Sequence, residues 1–161
     1  ISLNIYYGDY KPTKSQLTMD GLKSALRTGS LEPSYISYLN GLNKKILYRF
    51  SLQSRTNALT EPGHLEESGC TLSVTSTGFN ATSNLNNCLQ NNTAPDFAIQ
   101  AIFYEAVFEV LASSNFTNKV IISPETYWNT DSMVSQQPFP NISTSIRNKP
   151  AESIVNAWYK R

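Results

Sequence analysis

Residues 95–112, PDFAIQAIFYEAVFEVLA, decide how this chain folds. Pro95 suits the first turn of a helix, where its missing N–H removes no hydrogen bond. From Asp96 to Ala112, thirteen of seventeen residues are apolar, and only Asp96, Gln100, Glu105 and Glu109 interrupt the run. A helix apolar nearly all round is covered on several sides, not along one stripe. It is too short and too charged to span a bilayer. The segment predicts a helix around which the core is built, with Phe97, Ile102, Phe103, Val107, Val110 and Leu111 mostly buried.

The flanking sequence supplies what covers it. Ser2–Tyr7 alternates and runs into Gly8-Asp9, the pattern of a strand. Thr13-Lys-Ser-Gln16 fits a capping box, with Leu17, Leu22, Ala25 and Leu26 as a helical stripe ending near Gly29. Pro33 opens a second helix that ends near Gly41. Lys45–Leu52 and Cys70–Thr75 read as strands, with loop at 53–69 and a polar loop at 78–94. After the apolar helix, Lys119–Ser123 is a short strand, residues 124–148 are loop-like, and Pro150 opens a terminal helix bearing Ile154, Val155, Trp158 and Tyr159. The order β-α-α-β-β-α-β-α predicts one globular domain over 1–161. Its fold class is mixed α/β or α+β: a small mixed sheet of about four strands packed by three to four helices.

Composition narrows the function classes. Fifty of 161 residues are Asn, Ser or Thr, and only 16% are charged, against about 25% in an average chain. An uncharged polar surface suits a secreted or extracytoplasmic protein. Net charge is +1, but residues 1–60 sum to +5, residues 61–134 to −7 and residues 135–161 to +3. Such segregation suits steering of subunits or binding of a charged partner, and the expected partner is a protein or a glycan. Lys44, Lys45 and Arg49 beside Tyr48 and Phe50 read as an ordinary strand rather than a nucleic-acid platform, and no segment reaches transmembrane length. Membrane association is expected only if the chain is part of a membrane protein.

Cys70 and Cys88 flank a polar loop, and a bridge between them is expected in an oxidising compartment. Sequons at Asn80, Asn91, Asn115 and Asn141 are candidate N-glycosylation sites. The terminal Lys160-Arg161 matches the residue of dibasic processing.

Catalytic signals are sparse. One histidine, His64, argues against a histidine-rich metal site, and no metal or cofactor is expected. Neither a nucleophile elbow nor a phosphate loop is present. Gly8-Asp9-Tyr10 resembles the Gly-Asp-Ser block of some esterases but has Tyr10 in place of the nucleophile. Glu105 and Glu109 share a helix face, which reads as a thin solvated stripe. Asp9 and Glu125 each follow a strand, where α/β enzymes place catalytic groups. Tyr127 and Trp128 adjoin Glu125 as candidate sugar-stacking residues. The leading expectation is a glycoprotein domain that acts by binding, as an adhesion or assembly subunit or one chain of a processed precursor. The alternatives are a small glycan hydrolase using Asp9 and Glu125, and an extracytoplasmic sensor or receptor domain. Non-reduced peptide mapping of secreted protein is expected to recover Cys70 linked to Cys88, and two free thiols would refute the bridge.

Overall fold

A computed structural model describes residues 2–5, 14–60, 72–75, 78–81, 95–116, 119–122, 146 and 148–161. Strand β1 is Ser2–Ile5, helix α1 Met19–Thr28, helix α2 Pro33–Gly41 and strand β2 Ile46–Phe50. Strands β3 (Leu72–Thr75) and β4 (Gly78–Ala81) follow, then helix α3 (Phe97–Ser113), strand β5 (Lys119–Ile122) and helix α4 (Pro150–Tyr159).

The strands form two ladders, not one sheet of four. β1, β2 and β5 make a parallel sheet in chain order, with Leu3 opposite Tyr48 and Tyr48 opposite Ile121. β3 and β4 pair antiparallel, Val74 opposite Phe79. The polar stretch expected as loop from residue 78 therefore begins with a strand, and Asn80 sits in it. The uncharged Ser/Thr/Asn composition there hides a short hairpin from periodicity alone. Helices α1 and α2 lie between β1 and β2 in the chain, and α3 lies between β2 and β5, so each parallel step of the main sheet contains a helix.

The order of these strands fixes the side on which the helices lie. Parallel crossovers are right-handed. Two successive crossovers that advance in the same direction put their helices on the same face. Ile46, Tyr48 and Phe50 are buried on that face of β2. Phe50 meets Phe103, Tyr104 and Phe108 of α3 at ring-centroid distances of 6.4, 5.2 and 5.5 Å. Tyr48 meets Phe116 edge-on at 5.1 Å. Such aromatic pairs contribute about 0.5–1.5 kcal/mol each beyond area burial.

Helix α3 lies between α1 and α4, and all three run parallel. Lys23 reaches Glu109 at 2.8 Å and Arg27 reaches Ser113 at 3.4 Å, so successive turns of α1 and α3 advance together. On the other flank, Lys149 lies near Phe97 at the start of α3, while Trp158 stacks on Phe108 at 5.5 Å. This is why α3 is apolar all round: it meets the sheet and two helices. Phe103, Val107, Val110 and Leu111 are buried as expected, whereas Phe97 and Ile102 are only half-buried. Glu105 and Glu109 are not a free stripe. Glu109 pairs with Lys23, and Glu105 accepts a hydrogen bond from Trp158 Nε1 at 3.1 Å.

Local signals set most helix ends. Asp96 caps α3 by accepting from the Ile99 N–H at 3.0 Å. Pro33 and Pro150 stand in the first turns of α2 and α4. The capping box at Thr13–Gln16 gives way to a 3₁₀ turn over Lys14–Gln16, and Thr18 caps α1 instead, accepting from the Gly21 N–H at 3.2 Å. Gly21 explains the shift: a Cβ there would stand 2.5 Å from the Gln16 carbonyl oxygen. Only glycine lets α1 close onto that turn.

Two core substitutions separate packing from polar cost. Phe103 is fully buried, so Phe103→Ala is expected to lose about 3–5 kcal/mol in thermal or denaturant unfolding. Tyr104 is equally buried, yet its hydroxyl has no hydrogen-bond partner among the described residues. Tyr104→Phe is therefore expected to leave stability unchanged or raise it, because the hydroxyl is desolvated without return. A loss above about 1 kcal/mol would show that the hydroxyl is satisfied.

Candidate functional site

In a parallel α/β sheet the connections that leave the carboxyl ends of the strands carry function. Here β2 ends at Phe50, and residues 51–55 run directly over the amino-terminal ends of α3 and α4. The Asp96 N–H donates to the Ser54 carbonyl at 2.8 Å, and Gln100 Nε2 donates to the Leu52 carbonyl at 2.8 Å. Lys149 Nζ donates to Ser54 Oγ at 2.9 Å. Arg55 Nε donates to Gln53 Oε1 at 2.7 Å, and its Nη1 to the Thr56 carbonyl at 3.2 Å. Arg55 and Pro95 form an isolated bridge that ties this segment to the α3 cap.

Gln53, Ser54, Arg55, Gln100 and Lys149 are all buried. Two side chains that carry cationic groups, Arg55 and Lys149, thus sit at the same edge as two parallel helix amino-termini, whose dipoles add partial positive charge. The Asp96 and Glu152 carboxylates meet these two helix amino-termini, Asp96 accepting from the Ile99 N–H and Glu152 from the Asn148 N–H. Burial lowers the Lys149 pKa to about 8. Backbone geometry supports its placement: Asn148 adopts φ 58°, and its N–H donates to Glu152 Oε2 at 2.7 Å, turning the chain into α4.

The candidate residues divide by location. Asp9, Glu125, Tyr127, Trp128, Cys70, Cys88, Asn91, Asn141 and His64 lie outside the described residues. Glu105 and Glu109 engage α4 and α1 as structural partners, and among the described residues no group of three His, Cys, Asp or Glu could hold a metal. Tyr48 and Phe50 are buried in the core. Tyr35 and Tyr38 remain exposed and stack on each other at 6.4 Å. The buried polar set was not legible in the sequence: Gln53, Ser54 and Arg55 read as ordinary loop. Gln100, the one uncharged polar break inside the apolar run, was the available signal.

At the opposite edge, where β5 begins, the carboxyl-terminal ends of α1 and α3 and one side of α2 enclose a cavity of about 290 Å³. Leu31, Ile36 and Val110 lie on its wall, together with Arg27, Ser37, Asn40, Ser113 and Asn115.

Comparison with known proteins gives a likeness of fold. No family model matches the chain, and no curated protein matches it in sequence. Among solved structures it is similar to a GH113 β-1,4-mannanase, with 16% identity, a TM-score of 0.52, and coverage of 98% of this chain and 38% of that one. A complex of a GH113 β-1,4-mannanase aligns at 15% identity and TM-score 0.50 over 98% and 38% of the two chains. A GH113 β-mannanase from Alicyclobacillus acidocaldarius aligns at 15% and 0.50 over 99% and 44%. This chain thus spans about two fifths of the length of the structures it resembles.

The Lys149 environment has a pH signature. Its folded pKa lies below the value of about 10.4 expected unfolded, so between these values the unfolded state binds more protons. Burial of the charged amine opposes folding fully below pH 8, and this opposition lifts as pH rises through the window to about 10.4. Denaturant midpoints at pH 7 and pH 9.5 are expected to show a gain at the higher pH relative to Lys149→Met. Parallel pH profiles for the two proteins would exclude this burial effect.

Proposed function

We propose that this chain is the part of a glycan hydrolase that supplies consecutive βα units of a larger (β/α) barrel, and that the whole protein cleaves β-1,4-linked mannosides or closely related glycans. One observation carries this proposal: the β1-β2-β5 ladder, parallel and in chain order with its helices on one face, resembles in fold a stretch of three mannanase chains. A sheet wound without reversal leaves its second face to be covered by closure on itself, the logic of a barrel. A doubly wound sheet reverses its strand order instead. The proposal places the protein outside the cytoplasm, where polymeric glycans are met. Among the described residues, no helix is long and apolar enough to cross a membrane.

The proposed chemistry uses Asp9 and Glu125. Asp9 follows the end of β1 by four residues, and Glu125 follows the end of β5 by three. These strand ends lie on the same edge with β2 between them, about 10 Å apart at two interstrand spacings. Glycoside cleavage by such a pair needs the two carboxyl groups about 5–9.5 Å apart. Glu125 acts as the acid that protonates the leaving oxygen while the C1–O bond breaks. Asp9 acts as nucleophile or as base toward water, and water supplies the new C1–O bond. Tyr127 and Trp128 stack on sugar rings beside Glu125.

The reading of the chain as a binding domain rests on composition and on the exposed Tyr35–Tyr38 pair. The fold likeness favours the hydrolase alternative over it. The test is turnover of manno-oligosaccharides by the protein, with Glu125→Gln and Asp9→Asn as controls. Each change is expected to lower kcat by at least about 10². Binding without turnover would restore the recognition role, and turnover indifferent to both changes would overturn the assignment of these carboxylates. Product anomers then report their separation: retention corresponds to about 5–5.5 Å and inversion to about 6.5–9.5 Å.

A further inference from the structure

The cavity at the beginning of β5 is not part of the proposed catalytic edge, and one of its walls is a sequon. Asn115-Phe116-Thr117 follows the last turn of α3, and Asn115 is exposed. Its backbone is held: Asn40 Nδ2 donates to the Asn115 carbonyl at 2.7 Å. Phe116 anchors the next position, buried with its ring edge-on to Tyr48 at 5.1 Å. The asparagine is thus presented at a fixed point rather than on a wandering loop.

The cavity beside it has the chemistry of a sugar site. Its apolar wall, Leu31, Ile36 and Val110, suits the C–H face of a pyranose. Its polar wall carries Arg27, Ser37 and Ser113, residue types that suit sugar hydroxyl and acetamido groups, with Arg27 Nη2 donating to Ser113 Oγ at 3.4 Å. Its volume, about 290 Å³, lies just below the usual range of about 300–1,000 Å³ for small-molecule pockets and suits a single saccharide unit. A free ligand would pay translational entropy to occupy so small a site. A sugar already linked to Asn115 pays little, because its attachment point is on the wall.

We propose that Asn115 is an N-glycosylation site and that its first N-acetylglucosamine seats in this cavity, bridging the ends of α1 and α3 to the side of α2. The glycan is at the edge where the strands begin, so it leaves the opposite edge open to substrate. The inference is independent of the hydrolase proposal, since occupancy and melting temperature read no turnover.

The experiment uses protein secreted from a eukaryotic host. Release by an amide-cleaving glycosidase in heavy-oxygen water is expected to mark the Asn115 peptide, and an unmarked peptide overturns the proposal. Loss of the glycan, by enzyme or by Asn115→Gln, is expected to lower Tm by about 2–4 °C, the shift that a modest loss of stability gives in a chain of about 150–250 residues. An unchanged Tm shows a glycan that projects into solvent and overturns the seating. Ser37→Leu, which fills the polar wall, should leave Asn115 occupied yet abolish the Tm difference between glycosylated and released protein. Persistence of that difference also overturns the seating. The Asn115→Gln comparison stands even if Ser37→Leu fails to fold.

Discussion

The structure depends on one constraint: α3 is covered by the sheet, by α1 and by α4 at once. The sheet side is aromatic, with Phe50 held among Phe103, Tyr104 and Phe108. The flanks are a mixture of apolar packing and single polar ties, Lys23 to Glu109 on one side and Trp158 to Glu105 on the other. The two glutamates do not act as a pair despite their i,i+4 spacing, because each is claimed by a different neighbour. The Lys23 pKa is raised chiefly by its hydrogen bond to Glu109. Remove α3 and neither the parallel sheet nor its flanking helices retain a common core.

Much of this was legible in the sequence, for physical reasons that differ by element. Helix α3 announced itself by length and by apolar residues on every face. Pro33 and Pro150 marked helix starts because a missing N–H has one natural place, whereas α3 begins two residues beyond Pro95, with Asp96 as its cap. The start of α1 was misplaced because a capping-box pattern at Thr13–Gln16 says nothing about the close approach of Gly21 to Gln16. The β3–β4 hairpin was half missed, since a strand of small polar residues carries little hydrophobic alternation. Strand order was beyond reach: four-residue apolar runs carry no record of which neighbour they pair with.

The site was less legible than the fold. Carboxylates after strands were visible as Asp9 and Glu125, but any loop can hold such residues, so sequence position alone assigned them no specific role. The buried set of Ser54, Arg55 and Lys149 left no mark in sequence, because residues nearly a hundred positions apart meet only once the helices are stacked in parallel. Gln100 illustrates the general difficulty. It looked like a harmless interruption, yet its amide secures the turn just beyond β2.

The parallel ladder also governs how the molecule comes to be folded. Ser2 pairs with Leu47, and Ile46 with Lys119, so no hydrogen bond of the main sheet is local. Closing loops of these lengths costs about 3–4 kcal/mol of chain entropy each before any strand contact repays it. The helices, and above all α3, form from nearby residues, whereas the sheet waits for distant segments to meet. High contact order of this kind slows folding and prolongs exposure of strand edges. Short strands of four or five residues, held late in assembly, limit the length of edge on offer to a neighbouring chain during that delay.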